Sequence, residues 1–127
     1  MLITGANGFI GSTLCRRLAS DNKVIAVDIT VPTEGALNIA WEQADPPASP
    51  ERVRWRAGLT DGDVAAAICE RHSPDVVIHC AGIAHQKIGA VDSTAYMRGN
   101  SEATENLARA ASKAIPFPMM TRTLYPF

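Results

Sequence analysis

A chain of 127 residues with 46% hydrophobic and 20% charged side chains has the make-up of one globular domain, large enough for a modest core. Its net charge of −1 argues against a general binder of nucleic acid or anionic membrane surface, and no apolar stretch reaches the length of a bilayer span. Cys15, Cys69 and Cys80 are odd in number and widely spaced, which argues against a disulfide framework or a zinc site and for reduced thiols in a cytoplasmic protein.

In chain order, residues 1–4 (MLIT) read as a short buried strand, followed by a turn carrying Gly5, Gly8 and Gly11. Ile10, Leu14 and Leu18 recur every four residues, which predicts a helix ending near 20–22, where turn formers collect. VIAVD at 24–28 is a continuous apolar run closed by an acid, the pattern of a strand in a parallel sheet. Pro32, Pro46, Pro47 and Pro50 break the next segment, and only 35–43 has room for a short helix. VRWR at 53–56 reads as a third strand. Thr60 and Asp63 suggest a capping-box-like helix start, and Pro74 suggests the stop. DVVIHC at 75–80 reads as a fourth strand and 81–92 as a loop. The longest helix is predicted over 94–113, with Tyr96, Asn100, Ala103, Leu107, Ala110 and Ala114 on one stripe. Three prolines after Ile115 disfavour a fifth buried strand, leaving at best an edge strand over 119–125.

The alternation of strands and helices predicts an α/β fold: a doubly wound parallel sheet of four strands, or five with the edge strand, with helices on both faces. The expected division is a binding region over 1–114 and an atypical proline-rich tail over 115–127.

A strand, a glycine turn and a helix start form a cradle for a phosphate. One glycine permits the turn, one lets backbone approach a pyrophosphate, and one lets helix pack on strand. Asp28 closes the second strand 17 residues after Gly11, where an acid accepts hydrogen bonds from ribose hydroxyls and repels a 2′-phosphate. No Lys or Arg lies between Ile29 and Glu34 to receive that phosphate, so NAD is favoured over NADP. The plainer role for Asp28 is that of a strand-end turn acid.

TGANGFIG at 4–11, VIAVD at 24–28, DVVIHCAG at 75–82 and YMRGNSEATENLARAA at 96–111 resemble the extended short-chain dehydrogenases/reductases. More narrowly they resemble the NAD-dependent nucleotide-sugar epimerase/dehydratase family, which includes UDP-glucose 4-epimerase. The resemblance covers about 1–114 and implies the N-terminal half of a Rossmann domain. It implies that Gly5, Gly8, Phe9, Ile10 and Gly11 form the pyrophosphate loop and that Asp28 is the ribose acid. Leu59 would lie beside adenine, Cys80, Ala81 and Gly82 would pass under the cofactor, and Asn100 would stand near it. Gly58 stands where the family usually has an adenine-binding acid, and Ala84 where it often has a lysine.

His79 reads as a core histidine, His85 as a loop residue within reach of ligand, and the two make no metal site without a suitably spaced carboxylate. Cys80 reads as a space-filler rather than a nucleophile. Asn100 needs a partner on its apolar stripe, and backbone or cofactor would serve.

The resemblance implies chemistry by a Ser or Thr and a Tyr-x-x-x-Lys pair. Tyr96 is followed four residues later by Asn100, and Tyr125 has only two residues after it. Neither forms the pair, so no catalytic residue is assigned and negligible turnover is expected. The proline-rich end and the short first strand suggest a truncated or frame-shifted product or a domain fragment. The expected function is NAD binding for a nucleotide-sugar epimerase, dehydratase or reductase. The alternative is a non-catalytic dinucleotide-sensing or interaction module. A homodimer through the 94–113 helix is the expected self-association.

Overall fold

The computed structural model describes residues 1–30, 52–84 and 91–115. The helix expected within 35–43, His85, the edge strand over 119–125 and all but Ile115 of the proline-rich tail lie outside the described residues.

Among the described residues, four parallel strands form one sheet in the order β3-β2-β1-β4. They are β1 (Leu2–Thr4), β2 (Val24–Asp28), β3 (Arg52–Arg56) and β4 (Val77–His79). β1 pairs on one side with β2, Ile3 opposite Ala26, and on the other with β4, Thr4 opposite His79. Val24 through Val27 are all buried, which is why that run shows no polar alternation. The order is that of a doubly wound fold. The chain moves outward from β1 through β2 to β3, then resumes on the far side of β1 with β4. Such folds place ligands outside the carboxyl ends of the strands where the order reverses, here between β1 and β4.

By internal contacts the chain divides into two compact units. Among the described residues, the first holds the sheet and helix α1 (Phe9–Leu18), with residues 1–30, 52–57 and 75–81. The core on α1's side of the sheet is Ile3, Ala6, Cys15, Ala19, Val24 and Ala26, flanked by Met1, Leu14, Leu18 and Ile78. The buried face of α1 is Gly11, Ser12 and Cys15, so the Ile10–Leu14–Leu18 stripe is only its margin, and Ile10 stands 53% exposed. Burial follows the small residues because the helix start lies tight on the turn.

The second unit holds residues 58–74, 82–84 and 91–115. A long helical stretch is built from α3 (Ser93–Tyr96), a π-helical segment Met97–Glu102, and α4 (Ala103–Ala114), and helix α2 (Gly62–His72) packs against α4. Ala65, Ile68 and Cys69 are the buried residues of α2, and Ala103, Leu107, Ala110 and Ala111 those of α4. The long helix was expected over 94–113; its π-helical middle was not, because nothing in MRGNSE breaks a 3.6-residue period. α2 starts one residue later than expected from Thr60. Its cap is Asp61, whose Oδ1 accepts from the N–H groups of Asp63 (3.0 Å) and Val64 (3.4 Å). Ser73 ends it in the left-handed conformation (φ 42°), directly before Pro74. Asp61→Ala is expected to cost about 0.5–2 kcal/mol in the urea midpoint, as N-cap losses do, while Thr60→Ala leaves it nearly unchanged.

Candidate functional site

β1 leads the chain into the glycine turn. Gly5 has φ +64°, a conformation that glycine adopts without penalty. A Cβ on Gly5 would lie 2.6 Å from the Cys80 carbonyl carbon and the Ala81 nitrogen, so the turn rests directly on the chain leaving β4. A Cβ on Gly11 would collide with the Gly5 carbonyl, and this locks the first turn of α1 against the loop. The Gly8 N–H donates to the Gly5 carbonyl at 2.9 Å. Gly8 itself is exposed, extended (φ −74°, ψ 171°), and a Cβ there would approach only the Gly5 carbonyl, at 3.2 Å. Of the three, Gly8 answers least to internal packing and most to what approaches from outside.

α1 begins at Phe9 with no side-chain cap. The amides of its first turn have no partner within the helix, and the helix dipole adds positive potential at the same place. Phe9 is 81% exposed beside it.

The end of β2 closes one flank of the turn. Asp28 accepts at Oδ2 from the Asn7 N–H (2.9 Å), and at Oδ1 from the Thr30 N–H (2.9 Å) and hydroxyl (2.8 Å). The Asn7 amide nitrogen donates to the Thr30 carbonyl at 2.7 Å and to its hydroxyl at 3.0 Å. Asp28 therefore faces the glycine turn and is held in place by it.

The end of β4 closes the other flank. Cys80 N–H donates to the Thr4 carbonyl (3.2 Å), and Ala81 N–H to the Thr4 hydroxyl (3.2 Å). That hydroxyl lies 2.6 Å from His79 Nδ1, with both side chains buried. It accepts from Ala81 and shares a hydrogen bond with His79 Nδ1, whose direction follows the tautomer of the ring. Burial also lowers the His79 pKa, and the ring is a core group, as its apolar strand implied. Burial pushes the Cys15 thiol up to about 12 and raises those of Cys69 and Cys80, so none of the three is a ready nucleophile.

In the second unit, Asn100 Oδ1 accepts from the Ile83 N–H (2.6 Å) and Nδ2 donates to the Ile83 carbonyl (3.1 Å). Its partner is thus backbone. It sits in the π-helical segment, where Gly99 leaves room for Ile83 and Gly82 leaves room for the Asn100 amide. Asn106 binds the opposite stretch of the unit, donating to the carbonyls of Leu59 (3.1 Å) and Thr60 (3.2 Å). Leu59 is buried.

The family model described as the NAD dependent epimerase/dehydratase family matches residues 1–125. The chain belongs to that family. It is 27% identical over 111 residues to dTDP-glucose 4,6-dehydratase of Haemophilus influenzae, covering 87% of this chain and 32% of that protein. Against dTDP-glucose 4,6-dehydratase 1 of Escherichia coli the identity is 29%, with 87% and 30% covered. The fold matches UDP-glucose-4-epimerase from Stenotrophomonas maltophila, solved with bound NAD and formylated UDP-arabinopyranose. That match has a TM-score of 0.70 and 24% identity, and covers 89% and 33% of the two chains. The chain spans about a third of the length of these relatives.

For this epimerase/dehydratase-family chain, the structure gathers Gly5, Gly8, Phe9, Ile10, Gly11, Asp28, Cys80 and Ala81 in the first unit. It holds Leu59, Gly82 and Asn100 in the second. The sequence reading missed Asn7, Thr30, Thr4 and Asn106. An asparagine inside a glycine turn was the one available signal, since Asn side chains commonly bridge local backbone.

Proposed function

We propose that the chain is the NAD-binding part of a nucleotide-sugar epimerase, dehydratase or reductase. The observation that carries this is the placement of the glycine turn where the strand order reverses, with uncapped amides at its rim and Asp28 beside it. The residues fit a dinucleotide. Gly8 leaves open backbone on the exposed side of the turn, the first-turn amides of α1 suit a pyrophosphate, and Asp28 suits an adenosine ribose. Bound NAD supplies a hydride acceptor. The chain's own residues bind and orient the adenine half. Asp28 also sets cofactor choice, because its negative charge repels a 2′-phosphate. The sequence contains no Tyr-x-x-x-Lys pair, and loss of a positioned general acid/base alone lowers rate by about 10²–10⁴, so we expect negligible turnover from these residues alone. In the whole protein a nucleotide sugar is the partner, and the cytoplasm the compartment.

Calorimetric titration of the chain tests this. ADP and NAD are expected to bind with similar, weak affinity and NADP more weakly still. Asp28→Ala should remove about 1–3 kcal/mol of binding, the range for hydrogen bonds to a charged group. A circular dichroism melt checks that the variant folds. Equal affinity for NAD and NADP overturns the reading, and needs no variant.

A further inference from the structure

The Asp28 carboxylate is already crowded. Ionised, it has about four acceptor positions, two on each oxygen. Thr30 fills both positions on Oδ1, with its N–H and its hydroxyl, and the Asn7 N–H fills one on Oδ2. One position remains, on Oδ2.

The hydroxyl of Thr30 is oriented. The Thr30 carbonyl only accepts, so the atom of the Asn7 amide that lies 2.7 Å from it is the nitrogen. The same nitrogen lies 3.0 Å from Thr30 Oγ1 and donates to it. An ionised carboxylate only accepts, so the hydroxyl points its own proton at Asp28 Oδ1, 2.8 Å away. Three residues thereby hold one another: the turn holds Thr30, Thr30 holds one face of the carboxylate, and the turn's own N–H holds the other.

Resting on the proposed nucleotide site, we propose that Asp28 takes a single ribose hydroxyl, at Oδ2, because Thr30 occupies the place on Oδ1 that a second hydroxyl would need. Thr30 is then a specificity-determining residue of the site: it sets how many hydroxyls of the sugar are read. A diol would normally engage both oxygens of a free carboxylate. Here the protein provides its own hydroxyl as the second donor, and one of the ligand's two hydroxyls goes unread.

Titration of the folded chain with ADP, 2′-deoxy-ADP and 3′-deoxy-ADP tests the proposal. One of the two deoxy compounds is expected to bind within about twofold of ADP. The other should bind at least about tenfold more weakly, as for loss of a hydrogen bond to a charged acceptor. Thr30→Val removes the hydroxyl but keeps the N–H and the branched shape, and so opens one position on Oδ1. In that variant both deoxy compounds should bind more weakly than ADP, and Thr30→Ser should restore the one-sided pattern. If both deoxy compounds lose affinity equally in the unaltered chain, the ligand displaces Thr30 and the proposal is overturned. If neither loses affinity while ADP binds, Asp28 does not read the sugar and the proposal is likewise overturned. Failure of ADP itself to bind rejects the nucleotide site instead, so the two failures are distinguishable. The comparison in the unaltered chain decides even if a Thr30 variant does not fold.

Discussion

Replacing Gly5 with alanine is expected to destabilise the chain by about 2–5 kcal/mol. Two costs add. A left-handed conformation costs an ordinary residue about 1–2 kcal/mol, and Gly5 has φ +64°. Overpacking costs about 1–3 kcal/mol more, and the new methyl group would press on the Cys80 and Ala81 backbone at 2.6 Å. Backbone on both sides leaves no flexible side chain to yield. Against a total stability of about 5–15 kcal/mol, the variant should lose a large part of its urea midpoint or fail to fold. Gly8→Ala is the internal comparison: its backbone is extended and its one close contact is 3.2 Å, so it should melt close to the unaltered chain. A Gly5→Ala variant that melts within 1 kcal/mol of the original would mean that the turn does not rest on the end of β4.

The second large effect is expected at Thr4. Thr4→Val keeps the shape and deletes a buried hydroxyl that accepts from Ala81 and is hydrogen-bonded to His79. A buried polar group deprived of a partner costs about 1–3 kcal/mol, and two groups are deprived here, so a loss of about 2–6 kcal/mol is expected. Thr4→Ser keeps the hydroxyl and should recover most of it. The same pair gives the chain a pH dependence. Burial lowers the His79 pKa below its ordinary 6.5, so the unfolded chain takes up the proton first as pH falls. The contribution of His79 to stability is therefore complete above about pH 6.5. It declines as pH drops below that value, until the lowered folded pKa is reached. Urea midpoints between pH 8 and 5.5 should show this decline, and His79→Gln should flatten it. A midpoint that rises on acidification through this window would contradict a neutral, buried ring.

Much of the frame was legible because burial leaves a plain trace in sequence. Val24–Val27 could be recognised as a strand from hydrophobicity alone, and the strand–helix alternation then implied the parallel sheet. Asp28 was legible by its position at the strand's end. What could not be read was the pairing of polar groups across long sequence separations. Thr4 and His79 are 75 residues apart, and nothing local to either announces the other. Thr30 looked like an ordinary residue in a proline-bordered stretch, yet it supplies two of the three donors on Asp28. The start of α2 was misassigned by one residue because Thr60 and Asp61 are both good caps, and only backbone geometry chooses between them. Asn100 fell on the expected stripe, but its engagement with Ile83 depends on a change of helical winding that MRGNSE does not advertise.

That change of winding sets the phase of the whole helical rod. A π-helical turn acts as a single-residue insertion into an α-helix, so everything before it is rotated relative to everything after it. Deleting one residue between 97 and 102 would let the rod wind uniformly. Removing Ser101 or Glu102 would also bring Asn100 one residue nearer α4 and turn it by up to about 100° about the axis, away from Ile83. Length in this segment is therefore constrained as tightly as identity: a conservative substitution there is a smaller event than the loss of any one residue.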